Sequence, residues 1–170
     1  MLARSATIIK WVLYALAGLA CAVVQAAVLQ RFTLWGVIPF LYPLIAALPA
    51  TFEGPAAGTV YALACGVFCD LLLPSPIPCF YTLIFPLVGL SAGLLSQSLI
   101  PAGYLCSAAA SLPAYLLTGV FHCIVLWATG HAAWTAGLSV TLRELCVSLP
   151  WSLPMAWLFR KVYRRVHIDD

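Results

Sequence analysis

The sequence predicts an all-α, polytopic membrane protein: a bundle of six transmembrane helices with both termini in the cytoplasm. Hydrophobic residues make up 64% of the 170 residues and charged residues only 8%. A soluble domain carries about a quarter charged residues, and a small one cannot bury so much apolar surface. Between Asp70 and Arg143 the chain has no Asp, Glu, Lys or Arg. This stretch has room for about three apolar helices of roughly 20 residues each, the length that crosses a bilayer.

The first half of the chain contains three apolar runs separated by short turns. The first run carries Trp11 and Tyr14 at positions typical of the membrane interface, and apart from Lys10 near its start Gln25 is its only strongly polar residue. The second run contains three prolines, so we expect a kinked or partly unwound segment, which a membrane tolerates only where neighbouring helices or water satisfy the freed backbone groups. The third begins at Pro55, since proline suits the first turn of a helix. These spans are predicted at residues 8–29, 34–51 and 55–73.

The second half of the chain contains three further apolar runs. The proline-rich connector 74–78 precedes the fourth run. We expect it to be extended, because proline favours an extended conformation in the residue before it. The fifth run is long enough to cross the bilayer at a tilt, and the loop 129–138 follows it. The sixth run leads into a basic tail. These spans are predicted at residues 79–95, 102–128 and 142–159, and the six together form one integral membrane domain over residues 1–170.

The basic residues set the predicted orientation. Six of the eight lysines and arginines lie in the two tails, and the positive-inside rule places such tails in the cytoplasm. An even number of spans brings both tails to the same side. A nucleic-acid-binding protein would instead spread a basic patch over a folded face, so no nucleic-acid partner is predicted. The C-terminal tail is predicted to lie at the inner leaflet, against membrane lipid, through Arg160, Lys161, Arg164 and Arg165.

Small residues recur at four-residue intervals in the third and fourth spans. This spacing lets two helices approach closely, which is how apolar helices associate in lipid. We interpret it as internal helix packing in preference to dimerisation. The residues concerned are Gly58, Ala62, Gly66 and Asp70 in the third span, and Gly89 and Gly93 in the fourth.

Three charged residues are candidates for partner binding or helix organisation. Asp70 lies about four residues before the end of the third span, where a carboxylate must face protein or water. It is therefore either a helix-organising or partner-binding group, or an interfacial charge that reaches water. Arg143 and Glu144 open the sixth span, and an acidic residue suits the positive end of a helix, so a helix cap and a functional site are both open. His122, inside the fifth span, is interpreted as a hydrogen-bonded packing residue.

The sequence contains no recognisable catalytic, cofactor or metal motif. The paired-histidine and phosphate-binding glycine patterns are absent from it, and its one G-x-S-x-G match, at residues 89–93, lies inside the apolar fourth run. Its seven cysteines fit no zinc pattern and are interpreted as small hydrophobic packing residues, with a disulfide through Cys79 left open. We therefore expect a protein that is not an enzyme and that holds no cofactor or metal.

Two segments resemble the rod shape-determining protein MreD family of bacteria. One is the glycine-rich run from Gly58 through Gly66 to Asp70, which is followed by three leucines and a Pro-Ser-Pro turn and is similar to the central signature of that family. The other is the closing helix that begins with Arg143 and Glu144 and ends in the basic tail. Size and span count agree as well, so the resemblance covers nearly the whole chain.

The resemblance to MreD implies a non-catalytic subunit of the cell-elongation machinery, or elongasome, in the bacterial plasma membrane. Such a protein partners MreC, and the pair links cytoplasmic MreB filaments to the peptidoglycan polymerase and transpeptidase outside. On this interpretation the small-residue faces and Asp70 organise helices or receive the membrane anchor of MreC. The basic tail would lie near MreB or anionic lipid. The chain departs from the family pattern at Phe40, since an aspartate usually follows the proline there.

The alternative interpretation is the substrate-binding S component of an energy-coupling-factor vitamin transporter, a class of similar size and six-span layout. Its first span would dock on a transporter subunit through small residues such as Ala22 and Ala26. A vitamin site needs several convergent polar and aromatic groups. The predicted spans offer few, namely Gln25, Asp70, His122 and some hydroxyls, so the MreD interpretation is preferred.

Overall fold

The part of the chain that the structure describes is built mainly from helices. This structure is a computed structural model, and it describes residues 2–75, 77–98, 103–130 and 134–166, with side chains from residue 7 onward. Within these ranges there is no strand, only an isolated bridge between Leu34 and Val37. The helices are α1 (Leu2–Ala27), α2 (Tyr42–Glu53), α3 (Pro55–Leu72), α4 (Phe80–Ser98), α5 (Tyr104–Ala128), α6 (Trp134–Ser148) and α7 (Ser152–Val166).

Four segments of the described chain are long and apolar enough to cross a membrane. They are Thr7–Arg31, Pro55–Leu72, Phe80–Ser98 and Tyr104–Ala128. These helices are those of a multi-pass membrane protein. By contrast, α2, α6 and α7 have 12, 15 and 15 residues, and each is shorter than the roughly 20 residues that a helical crossing needs.

The predicted second and sixth spans are therefore wrong as single helices. The second is predicted at 34–51, but residues 32–41 are not helical. The sixth is predicted at 142–159, but its helix already begins at Trp134, inside the predicted loop 129–138. It breaks at the short 3-10 turn Leu149–Trp151 and resumes as α7. Pro150 explains the break, because proline lacks the N–H that a continuing helix would use.

The remaining predicted boundaries agree more closely with the structure. The third and fourth spans match α3 and α4 to within a few residues at either end, whereas α1 begins at Leu2, six residues before the predicted start. The predicted start of the fifth span, residue 102, lies outside the described residues, as do Pro76 in the connector and residues 131–133 in the predicted loop.

The short helix α2 lies at the centre of the bundle. Every residue from Tyr42 to Thr51 is buried, and α2 contacts α1, α3, α4, α5 and α7. The outer helices expose large apolar side chains, among them Leu71, Leu83 and Leu105. A central helix that is apolar all round, enclosed by helices with apolar outer faces, is the arrangement expected of a protein surrounded by lipid.

Hydrogen bonds between helices show which helix termini lie together. Lys10 and Tyr14 of α1 both donate to Glu53 at the end of α2. We call this side of the bundle the Lys10 end. At the opposite side, Gln25 of α1 contacts the segment before α2, and Asp70 of α3 contacts the start of α4. We call this the Asp70 end. Successive helices from α1 to α4 therefore run in alternate directions.

The non-helical segment before α2 is held by side chains from three helices. Gln25 donates to the carbonyl of Pro39 (2.7 Å) and accepts from the N–H of Leu41 (3.1 Å). Phe40 lies between these two residues. Its carbonyl accepts from the hydroxyl of Tyr115 in α5 (2.6 Å), and its N–H donates to the hydroxyl of Ser148 in α6 (3.0 Å). This confirms the expected unwinding and supplies the partners that an unwound backbone needs inside a membrane.

Candidate functional site

Gly58 and Gly66 of α3 occupy positions where no larger side chain fits. A Cβ at Gly66 would stand 2.6 Å from the backbone carbonyl oxygen of Tyr81 in α4, and a Cβ at Gly58 would overlap Ala50 of α2. Residues four apart drift around a helix by about 40° per step. One stripe of small residues on α3 therefore contacts two different helices.

Gly89 and Gly93 give α4 the matching surface. A Cβ at Gly89 would stand 2.7 Å from the Cβ of Ala62 and 2.8 Å from the carbonyl oxygen of Gly58, and a Cβ at Gly93 would overlap Pro55. The predicted small residues of the third and fourth spans thus contact one another. They bring α3 and α4 together as a closely packed antiparallel pair.

The Asp70 carboxylate caps the start of α4. Its Oδ1 accepts a hydrogen bond from the backbone N–H of Tyr81 (3.0 Å), and its Oδ2 accepts from the backbone N–H (2.8 Å) and the hydroxyl (2.6 Å) of Thr82. The first N–H groups of a helix have no partner within the helix, and the positive end of the helix dipole favours an anion. The half-buried carboxylate thus joins the end of α3 to the beginning of α4.

An ion pair that the sequence analysis did not single out lies at the Lys10 end. Lys10 donates to Glu53, which also accepts from the hydroxyl of Tyr14 (3.0 Å). The Glu53 side chain is only 6% exposed and that of Lys10 20%, so the pair is largely withdrawn from solvent. It fixes the end of α2 to α1. In the sequence, Lys10 is recognisable only as one of the six basic residues of the two tails, because its contact with Glu53 joins two separate spans.

Arg143 and Glu144 do not open a helix, so this prediction is wrong. They lie nine and ten residues after Trp134, in the second half of α6. An N-terminal cap is therefore excluded for both. Arg143 is exposed, whereas Glu144 is half-buried and lines a cavity inside the bundle.

The cavity that contains Glu144 has a volume of about 270 Å³. It lies between α4, α5, α6 and the segment before α2. The facing helices α5 and α6 approach closely here, since a Cβ at Gly119 would overlap Thr141 and a Cβ at Gly137 would stand 2.6 Å from the sulfur of Cys123. The polar and aromatic lining consists mainly of Phe40, Tyr81, Tyr115, Thr118, His122 and Glu144.

Sequence reasoning missed this cluster because three helices and one irregular segment build it. One part of it was visible in the sequence: Tyr115, Thr118 and His122 are spaced at three and four residues, which places them on one face of α5. The His122 ring packs edge-on against Phe80 at a centroid distance of 5.6 Å, while the residue also lines the cavity. More polar and aromatic groups converge than the sequence analysis counted.

A larger, apolar groove of about 620 Å³ lies between α1 and α3. Its floor includes Tyr42 and Ile45 of α2. Across the groove, the hydroxyl of Tyr61 in α3 donates to the backbone carbonyl of Tyr14 in α1 (3.2 Å). The groove faces outward, because several residues of its rim expose a third or more of their surface. They are Val12, Leu16, Leu19, Val60 and Phe68.

The alternative interpretation assigned a docking role to Ala22 and Ala26. Ala22 is buried and lines this groove, whereas Ala26 is exposed. The two residues therefore do not form one exposed docking face.

The basic tail is the last part of α7. The Arg160 guanidinium lies 5.0 Å from the ring centroid of Tyr104, and the Lys161 ammonium lies 5.2 Å from that of Trp157. These are cation–π contacts that hold the two basic side chains against aromatic rings. The Phe159 ring stacks on Tyr14 at 6.2 Å, so α7 lies at the Lys10 end. The last two basic side chains, Arg164 and Arg165, are exposed.

The seven cysteines are all unpaired, including the exposed Cys79. Among the described residues, no group of three or more histidine, cysteine or acidic side chains is placed to hold a metal ion. Comparisons of the chain with models of protein families, with curated proteins and with solved structures find no match.

Proposed function

We propose that this chain is a non-catalytic membrane subunit of the bacterial cell-elongation machinery that partners MreC. Through MreC it would connect MreB filaments to peptidoglycan synthesis. The proposal is supported by where the structure places the residues that resemble the MreD signature: they lie at contacts between helices. Gly58 and Gly66 form close helix contacts, and Asp70 caps α4. Signature residues that serve packing and capping fit a scaffold protein, whose function depends on the shape of its helix bundle.

In the proposed arrangement the chain crosses the bacterial inner membrane six times, with both termini in the cytoplasm. The segment before α2 together with α2 makes one crossing, and α6 together with α7 makes another. Support comes from the Lys10 end, where α1, the end of α2 and α7 meet. Arg164 and Arg165 would then face the inner leaflet, where each contributes about 1 kcal/mol of attraction to anionic lipid, or a cytoplasmic partner such as MreB.

The groove between α1 and α3 is the proposed seat for the membrane anchor helix of MreC. From Trp11 to Ala22 it follows about three turns of α1, roughly 16 Å. Its α1 wall carries the small residues Ala15 and Gly18, and its α3 wall carries Ala64. Small residues on a lipid-facing surface let another helix approach closely, and the apolar lining offers the van der Waals contact that drives helix association in lipid.

The test is affinity purification of the chain from a rod-shaped host that expresses it with its neighbouring genes. We expect MreC to be recovered with the wild-type chain. Ala15→Trp and Ala64→Trp each fill the groove, and we expect them to lower the recovery of MreC by about tenfold or more, which corresponds to roughly 1.4 kcal/mol of binding. Leu83→Trp is the control, since Leu83 is 66% exposed on α4 and does not line the groove.

Three results would contradict the proposal. They are the absence of MreC from the wild-type preparation, equal recovery with the groove variants and the control, and recovery of a pair of transporter ATPases in place of MreC. The last would favour the vitamin-transporter interpretation. Depletion of the chain in the same host is expected to convert rods into round cells, and restoration of rod shape by the wild-type gene checks that the effect is specific.

A further inference from the structure

Three polar groups that line the cavity between α4, α5 and α6 have no hydrogen-bond or ion-pair partner within the described residues. They are the Tyr81 hydroxyl, the His122 imidazole and the Glu144 carboxylate. By contrast, the hydroxyls of Tyr115 and Thr118 donate to backbone carbonyls at 2.6 Å and 2.8 Å. No fully buried side-chain nitrogen or oxygen of the described residues lacks a partner. The three groups therefore reach the open space of the cavity.

The cavity holds a carboxyl group with no ammonium or guanidinium counter-ion among its lining residues. Glu144 lines it, and no lysine or arginine does. Arg143, the neighbour of Glu144 in the sequence, is exposed. A second carboxylate, that of Asp70, lies close by, because it accepts from the backbone of Tyr81. A carboxylate inside a membrane protein is costly unless a cation or hydrogen-bond donors compensate it, and a bound cation would supply that compensation.

The remaining lining favours an organic cation over a metal ion. Phe40 and Tyr81 lie with their ring centroids 6.3 Å apart, and Tyr115 and His122 add two further rings to the wall. Aromatic faces attract ammonium groups, whereas Ca²⁺ and Mg²⁺ require about six oxygen ligands. The volume of about 270 Å³ is enough for a compact organic ion.

We infer that this cavity binds a small organic ammonium group, with Glu144 as its counter-ion. The rings of Phe40 and Tyr115 would enclose the carbon atoms of the ligand, and Tyr81 and His122 would accept or donate its hydrogen bonds. Two sources carry this chemistry: a free amine from solution and the headgroup of a phosphatidylethanolamine lipid. The inference is independent of MreC binding, which we place at the groove between α1 and α3.

The experiment measures thermal unfolding of the purified full-length chain in detergent. A ligand that binds only the folded state raises Tm in proportion to the logarithm of its concentration at saturation. We expect choline or ethanolammonium chloride to raise Tm above the value in sodium chloride of equal ionic strength. The neutral choline isostere 3,3-dimethyl-1-butanol is expected to leave Tm unchanged. Nanodiscs of phosphatidylethanolamine and of phosphatidylglycerol, compared in the same assay, identify the lipid as the source if only the former raises Tm.

Glu144→Gln keeps the shape of the side chain and removes its charge, so we expect it to abolish the rise in Tm. Arg143→Gln is the matched control and is expected to keep the full rise, since it removes a charge from an exposed position one residue away. Phe40→Leu leaves Glu144 in place and is expected to weaken binding by about tenfold, because it removes a ring from the wall.

Any one of three outcomes would overturn the inference. They are an unchanged response in Glu144→Gln, an equal response to the neutral isostere, and no response of the wild-type chain to either ammonium ion or to the phosphatidylethanolamine nanodisc. If Glu144→Gln does not fold, Phe40→Leu still tests the inference. A rise in Tm of wild-type size in Phe40→Leu would contradict the inference as well.

Discussion

Asp70 is a single carboxylate that closes the turn between two membrane helices. It accepts three hydrogen bonds from Tyr81 and Thr82, two of them from backbone N–H groups at the start of α4. In water such N–H groups could bond to solvent, but near the membrane the protein must supply the partner. The side chain is therefore important for the geometry of the α3–α4 pair whether or not it also contacts another protein.

Asp70→Ala is expected to lower the free energy of unfolding by about 1–2 kcal/mol, the upper part of the range for a lost helix cap, because it removes all three bonds. Unfolding with increasing fractions of denaturing detergent measures this change. Ser75→Ala is the control, since Ser75 is in the same connector and its exposed hydroxyl bonds only to the carbonyl of Ile77. Equal stability of the two variants would contradict the capping role.

Gly66→Ala is expected to destabilise the chain by about 1–3 kcal/mol, the usual cost of overpacking. The added methyl group would stand 2.6 Å from the carbonyl oxygen of Tyr81, and a helix backbone cannot move aside as a side chain can. Val67→Ile adds a methylene group at the next residue, on a side chain that is 46% exposed, and should leave stability unchanged. The same detergent titration compares the two, and a harmless Gly66→Ala would show that α3 and α4 are packed loosely.

At the residue scale, the sequence predicted the sites that depend on local spacing and missed those that depend on the fold. Gly66 and Asp70 were recognisable because small and acidic residues at four-residue intervals share one face of a helix. The position of Glu144 was not, since Tyr81 and Phe40 reach it from distant parts of the chain. Proximity of that kind is created by tertiary packing, which leaves no pattern in the sequence around Glu144.

Among the elements, the segment before α2 combines the strongest constraints. Prolines at 39 and 43 prevent a continuous helix, yet the segment lies inside the bundle, where unpaired backbone groups are costly. Gln25 resolves this conflict by bonding to the backbone on both sides of Phe40. This polar residue in the middle of an apolar run is thus explained as a structural partner of an unwound backbone.

Gln25→Leu is expected to destabilise the chain by about 2–6 kcal/mol, because it leaves one buried carbonyl and one buried N–H unpaired at about 1–3 kcal/mol each. Gln30→Leu, at an exposed position just after α1, is the control and should change stability little. Thermal unfolding of both variants in the same detergent makes the comparison. A Gln25→Leu chain as stable as the control would mean that water reaches this backbone.

The sequence predicted α3 and α4 closely but misjudged the second and sixth spans, and the reason is the same for both. Hydropathy measures how apolar a run is, not whether its backbone stays helical. The second span is apolar throughout but unwound at residues 32–41, and the sixth is interrupted at Leu149–Trp151. In the second span another helix supplies a partner for the unwound backbone, since Tyr115 of α5 donates to the carbonyl of Phe40.

At the scale of the whole molecule, a buried central helix inside an apolar outer layer indicates a bundle built for lipid. The exposed side chains Leu71 and Leu105, each 80% accessible, would be unfavourable in water, whereas in a bilayer they contact acyl chains of the same polarity. The proposed roles of the chain, partner binding through the groove and attraction to the inner leaflet through α7, both depend on which side of the membrane each end occupies.

Site-specific labelling of single cysteines in intact cells tests this orientation most directly. In a chain whose other cysteines are replaced by alanine, the exposed Cys79 at the Asp70 end should react with a membrane-impermeant maleimide before the cells are opened. Arg165→Cys, and a cysteine added before Met1, should react only after permeabilisation, because both termini are proposed to lie in the cytoplasm. Labelling of the two termini on opposite sides of the membrane, or of Cys79 only from inside, would contradict the six-crossing arrangement.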